Sequence, residues 1–308
     1  MENQTTVSYF LLLEFSKNRH LQILHFFLFF LLYLATVTEN LLIISAVAFD
    51  HQLHSPMYFF LMNLGLQDLG IVSAIVPKSM INSLMDTRHI SYLGCVTQYF
   101  FFLSFEACDV SLLTVMAYDR YIAICNPLHY EMVMNWKYCS EIIILVWVTG
   151  LLYGILHATA TFSVLFCSNV VNQFFCEMPH LLKLSCSGVN LLEVGILVAS
   201  VIAGVGCFTF IVISYAVIFK TVLRIPSKTG RQKALSTCIP HLTVVSVLLL
   251  NGCIAYLRPS SNTASYLDIV LTILYALLPP LFNPIIYSMR NKNIKCGLSR
   301  LWRYDKLF

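Results

Sequence analysis

LEVGILVASVIAGVGCFTFIVISYAVIFKTVL, running from Leu192 to Leu223, decides the fold. A helix crosses the hydrocarbon core of a bilayer with about 20 predominantly apolar residues, and this stretch is longer than that. Six more of its kind run from Leu21 to Phe49, Pro56 to Pro77, Tyr92 to Ile124, Cys139 to Thr161, Ala234 to Leu257 and Leu267 to Met289. Lipid offers no partner to an unpaired backbone group, which excludes open sheets and leaves helices. The expectation is an all-α membrane protein, a seven-transmembrane helix bundle. Composition points the same way. Of 308 residues 58% are hydrophobic and 11% charged, where a soluble chain carries about 25% charged residues. One domain is expected over residues 1–308: an external N-terminus over 1–20, the bundle over 21–290 and a cytoplasmic tail over 291–308. No basic leader with a small-residue cleavage site opens the chain, so the first span is expected to act as its own uncleaved signal and anchor.

Charge placement gives the orientation. Arg120, Lys137, Lys220, Arg224, Lys228, Arg231, Lys233, Arg290, Lys292, Lys295, Arg300, Arg303 and Lys306 fall on one side of the spans. Lys17, Arg19, Lys78, Arg88, Lys183 and Arg258 fall on the other. The basic-rich side is cytosolic, which puts the N-terminus outside and the C-terminus in the cytosol. Asn3-Gln4-Thr5 is then a glycosylation sequon on the external side. The same rule explains the net charge of +4 without a nucleic-acid partner. After the seventh span, Ile294, Leu298, Leu301 and Trp302 recur at helical spacing among basic residues. This predicts a short amphipathic C-terminal helix on the inner membrane surface, where Cys296 is a candidate for a palmitoyl chain.

Acidic residues inside apolar spans are functional candidates by default. Glu39, Asp68, Glu106, Asp109 and Asp119 sit in or at the rim of spans. Asp68 and Asp109 lie mid-span in the second and third helices. Two facing carboxylates repel unless they share a proton or a cation, so a sodium ion and a raised proton affinity are both open. Asp119-Arg120 ends the third span at its cytosolic side as a local ion pair, a latch that a partner can bias. Pro279, Pro280 and Pro284 remove amide donors from the seventh span, and Asn283 is expected to help satisfy the freed carbonyls. Of the eleven cysteines, Cys95 opens the third span. Cys167, Cys176 and Cys186 lie in the long external loop, where disulfides are plausible. Spacing leaves three pairings open. No phosphate-binding glycine loop, zinc spacing or nucleophile–base pair is evident, so an enzyme is not expected.

Four segments resemble one family. They are LHSPMYFFL from Leu53 to Leu61, MAYDRYIAICNPLHY from Met116 to Tyr130, Lys233 to Cys238 with His241-Leu242, and Pro280 to Asn291. The chain resembles a vertebrate olfactory receptor, a branch of the rhodopsin-like (class A) G-protein-coupled receptors. The resemblance implies a plasma-membrane receptor that binds a small volatile odorant and drives a stimulatory, olfactory-type G protein to raise cyclic AMP. It implies that Arg120, flanked by Asp119 and Tyr121, engages the G protein, and that Tyr215 and Tyr287 rearrange with it. His241, Asn283 and Pro284 belong to the same switching motifs. It pairs Cys95 with Cys176 and Cys167 with Cys186. It matches Asp68 and Asp109 to paired acidic positions, with sodium the only cofactor in view.

By alignment with that family, the ligand is expected to meet Phe102, Leu103, Glu106, Ala107, His157, Ala199, Ala203, Leu249, Cys253, Tyr256 and Ala276. Several residues depart from the family pattern. Glu39 stands where Gly is usual, Leu248-Leu249-Leu250 where Phe-Tyr-Gly is common, and Ile239-Pro240 where a small polar pair is common. Glu106 replaces a small residue. Rival readings are a non-olfactory class A receptor, a transporter or channel, and a retinal photoreceptor. No internal repeat favours the transporter. Leu267 to Met289 contains no lysine for a Schiff base.

Overall fold

The computed structural model describes residues 7–186, 191–257, 266–290 and 292–304. For residues 251–257, 266–268, 289, 290, 292 and 301–304 it describes the backbone alone. Ten α-helices follow in chain order: α1 (Arg19–Phe49), α2 (Pro56–Met85), α3 (Tyr92–Cys125), α4 (Tyr130–Val133), α5 (Trp136–Phe162), α6 (Met178–Leu182), α7 (Leu191–Leu223), α8 (Lys228–Leu257), α9 (Tyr266–Arg290) and α10 (Lys292–Tyr304). Seven of them, α1, α2, α3, α5, α7, α8 and α9, are long and apolar enough to cross a bilayer.

Helix starts follow from capping. Asn18, Ser91 and Asn135 each accept a backbone N–H in the first turn of α1, α3 and α5, the role short polar side chains fill best. Two bounds differ from the apolar pattern. Helix α2 continues through Pro77 to Met85, because proline removes one donor and the packing of α1 along α2 outweighs that loss. Arg19 then donates to the Ser83 and Leu84 carbonyls at the end of α2, at 3.2 and 2.5 Å. Helix α8 begins at Lys228 instead of Ala234. Hydrophobicity marks where lipid begins, whereas Lys, Arg and Gln continue a helix into water.

Helix α3 is the central post. Its Ser104 and Cys108 lie against α5 at Gly150 and Gly154, where an added Cβ would come within 2.8 Å of the Ser104 and Phe100 carbonyl oxygens. These two small residues, four apart, let the backbones approach closely. On another side Phe105 covers Gly70 of α2. In α9, Pro284 leaves the Pro280 carbonyl without its helical donor, and Asn40 of α1 supplies one at 3.0 Å. Asn283 does not take that role, contrary to expectation. Its side chain reaches Asp68.

Residues 8–13 are tied into the fold. β1 (Tyr9–Leu11) pairs antiparallel with β2 (His89–Ser91). On its other side Leu11 donates to the Asn169 carbonyl at 2.7 Å and accepts from the Val171 amide at 2.9 Å. This strap runs across the end of the bundle, with Phe10 and Leu12 buried among Ile90, Tyr99, Val171 and Leu181. Two disulfides, Cys95–Cys176 and Cys167–Cys186, fasten the loop beneath it. They are the pairing that the resemblance implied. At the opposite end, α10 docks on the turn between α1 and α2. Ile294 is buried, Gly297 fits against Leu53, and Arg300 donates to Asp50 and to Gln52. Burial pulls the Asp50 carboxyl upward, but hydrogen bonds from Arg300 and the Gln52 amide outweigh it and hold Asp50 below the usual range. The expected amphipathic helix is therefore present. The side chains of Leu301 and Trp302, and Asn3, lie outside the described residues.

Candidate functional site

Two regions bring the candidate residues together. The first lies beneath the strap. With one face of α3 on α2 and another on α5, a third carries Leu103, Glu106, Ala107, Val110 and Thr114 at helical spacing, all half-buried. Phe102 is buried under Phe175 of the loop after α5, with ring centroids 5.2 Å apart, and Ala276 is buried in the same cluster. Leu249 of α8 is half-buried. Glu106 makes no hydrogen bond or ion pair with any described residue, and it lies within electrostatic reach of Asp109.

One expected contact, His157, is corrected, and two others are exposed. Ala199 and Ala203 are exposed, because the strap-end half of α7 packs little against its neighbours. His157 is enclosed, at 0% exposure, and bonds to Ser200 of α7. The side chains of Cys253 and Tyr256 lie outside the described residues.

The loop after α5 lies over this region. Phe174 packs on Phe15 and Phe29, and Gln173 donates to Thr272 of α9 at 2.7 Å. The Cys176 amide donates to Gln98, whose own amide donates to the Ala74 carbonyl, both at 2.9 Å. Tyr275 donates to Glu177. Below this region, Asp68 and Asp109 are buried. Asn283 donates to both oxygens of Asp68, at 3.0 and 3.2 Å, while Asp109 Oδ1 has no partner among the described residues. That orphaned acceptor, beside a second carboxylate, fits a shared proton or a monovalent cation. Among the described residues, no group of three or more His, Cys, Asp and Glu is arranged to hold a metal. Glu39 Oε2 is likewise enclosed without a partner.

The second region is the far end of α3. Asp119, at 1% exposure, takes a hydrogen bond from Arg120 Nε at 2.9 Å and another from the same guanidinium. Tyr130 donates to its other oxygen at 2.8 Å. Burial and the neighbouring Asp119 carboxylate both push the Tyr130 phenol above its ordinary pKa, so it stays a donor. No acidic residue occurs between Glu193 and Asp268, so neither α7 beyond Glu193 nor α8 can offer Arg120 a carboxylate. Instead α7 and α8 join α3 through neutral groups. His241 Nε2 donates to the Leu113 carbonyl at 2.9 Å, which leaves Nδ1 to accept from Tyr215 at 2.9 Å. Pro284 is buried and Tyr121 half-buried. The Tyr287 hydroxyl is enclosed without a partner among the described residues.

The sequence model of the olfactory receptor family matches residues 29–303. Human Olfactory receptor 14C36 is 48% identical over 304 residues, covering 98% of this chain and 97% of the relative. Human Olfactory receptor 14A16 is 47% identical over 302 residues, with the same coverage of each. The chain belongs to the olfactory receptor family. The receptor is similar in fold to squid rhodopsin, with a TM-score of 0.72 at 16% identity over 92% of this chain and 81% of that one. It is a multi-pass membrane receptor with the G-protein-coupled receptor fold, and not an enzyme. The transporter, channel and photoreceptor alternatives fall with that membership.

Sequence reasoning missed Glu193. It sits at the start of an apolar run and passes for a rim charge, yet it is 0% exposed. Only the approach of α5 to α7 encloses it. Asn40 was likewise visible only as a neighbour of Glu39, since its partner lies 240 positions away.

Proposed function

We propose that this receptor holds a small, mostly apolar volatile odorant in the chamber beneath the strap and activates a stimulatory, olfactory-type G protein that raises cyclic AMP. The strap end faces outward, the Arg120 end and the C-terminus face the cytosol, and the protein resides in the plasma membrane with Asn3 glycosylated. Residues 1–308 form one receptor domain.

Glu106 carries the reading of the chamber. It is a carboxyl group within the bundle, on the half-buried stripe of α3, without a described bonding partner. A ligand group that donates a hydrogen bond or bears positive charge satisfies it, while Phe102, Leu103 and Ala276 supply apolar contact. Occupancy acts by population shift, so the ligand binds the active arrangement more tightly than the resting one. In that arrangement Arg120 leaves Asp119 for the G protein. Asp68 and Asp109 hold a sodium ion or a shared proton in the resting arrangement, and Asp109 Oδ1 is the atom free to do so.

A cyclic AMP reporter screen over a broad volatile library tests the whole, with Arg120→Ala as the silent control. Glu106→Gln then tests the chamber. The ranking of agonists should change at equal surface expression, with donor-bearing and cationic ligands losing most, about tenfold in potency. An unchanged ranking would remove Glu106 from the ligand site.

A further inference from the structure

The half of α7 near the strap has little to hold it. Between Leu191 and Phe210 only Glu193 is buried, whereas Ile211, Ser214, Tyr215, Ile218 and Val222 are buried along the half toward Arg120. A carboxylate is a poor anchor unless its charge is matched, because burying a lone charge is strongly unfavourable.

The hydrogen-bond directions show how it is matched. Thr161 of α5 gives its only proton to Glu193 Oε1 at 3.2 Å, so at 2.8 Å the Tyr99 phenol of α3 donates to Thr161. On the other side, Ser200 of α7 donates to the Ile196 carbonyl at 2.8 Å. Its oxygen therefore accepts from His157 Nε2 at 3.1 Å. That leaves His157 Nδ1 facing Glu193 Oε1 at 3.7 Å. Neither Nδ1 nor Glu193 Oε2 has a hydrogen-bond partner among the described residues. Two lone pairs would repel there. The approach is attractive only where the pair carries one proton, which leaves it without net charge. Tyr153, half-buried on the same face of α5, lies with its ring centroid 4.4 Å from that of His157.

We infer that His157 and Glu193 form a charge-neutral pin that fixes the strap-end half of α7 as a wall of the ligand chamber, so that both are positioning residues for the odorant response though neither touches ligand. This rests on the chamber assigned above. Both side chains are closed off at 0% exposure, which is why they act through the position of α7. The pin carries no net charge, so the preference for a cationic or donor group stays with Glu106.

The test uses the full-length, N-terminally tagged receptor with Glu193→Leu, His157→Leu, the double variant and Glu193→Gln. Each is compared at matched surface density against an agonist from the screen. Each leucine variant should lose about tenfold or more in potency. The double should lose clearly less than the two singles added together, because both remove the shared tie while each also removes a bond of its own. Glu193→Gln keeps an acceptor for Thr161 and gains an amide donor for His157, and should recover to within about threefold of wild type. The ranking of agonists should not move. Wild-type potency in either single, additive losses, or an altered ranking would overturn the inference.

A second readout needs neither an odorant nor the leucine variants. Leu197 is half-buried, about one turn from Glu193, and packs on the strap cluster. In a Leu197→Cys receptor, site-specific alkylation read by mass spectrometry should accelerate about tenfold when Glu193→Ala is added. An unchanged rate would overturn the pin even if no volatile activates the wild type. Silence of the wild type to every volatile would instead count against the odorant reading alone.

Discussion

The two ends of the bundle are closed by different chemistry. At the strap end the closure is covalent and backbone-borne: two disulfides, a strand paired on both sides, and a wedge of buried aromatics from Phe10 to Phe175. At the Arg120 end it rests on a few side-chain bonds: Arg120 and Tyr130 on Asp119, and Tyr215 on His241 on Leu113. Each of those is worth about 0.5–3 kcal/mol, depending on charge, and each can be exchanged for another partner. A disulfide across a long loop contributes about 2–5 kcal/mol and cannot be exchanged without a reductant. One end is thus held by bonds that persist and the other by bonds that can be exchanged.

Breaking the strap end should give the largest effect. Cys95→Ser removes the bridge to Cys176 and leaves α3 untied from the loop after α5. Surface immunostaining of the tagged receptor should fall to near background, and wild-type surface levels would show that the loop does not depend on this bond. Phe10→Ala comes next. Deleting a buried Phe side chain costs about 3–5 kcal/mol, and Phe10 is at 0% exposure. Surface expression should drop several-fold with agonist ranking preserved in what remains. A normal surface level would make the strap an ornament and dissolve the contrast between the ends. The smallest effect sharpens the other half of the contrast. Tyr130→Phe deletes one of the bonds that hold the Asp119 carboxylate in place, so the resting arrangement should lose some stability. Basal cyclic AMP should rise a few-fold at unchanged surface density. An unchanged or lower basal level would mean that Tyr130 serves the active arrangement equally well.

The seven spans were legible because lipid imposes one rule on every residue that meets it, and Leu21 to Met289 carries that rule seven times. The Asp119–Arg120 pair was legible because its partners are adjacent in sequence. Long-range pairings were not. Asn283 looked like a cap for the freed carbonyls of α9, but that work falls to Asn40, while Asn283 turns to Asp68. His157 aligned with ligand contacts, but the closeness of α7 put a serine and a glutamate over it. The strap was illegible too. Residues 7–13 carry no strong strand pattern, and only β2 and the loop from Asn169 to Gln173 give them their pairing.

From the amino-acid order alone follow the number of membrane crossings and the chemistry available at the Arg120 end, because burial in lipid and local charge act on neighbouring residues. Which carboxylate meets a partner, which is left without one among the described residues, and which helix half is buried were decided by the tertiary structure. Those outcomes depend on side chains meeting across dozens to hundreds of positions, and in a low-dielectric interior the presence or absence of one partner decides whether a polar group is an anchor or a binding site.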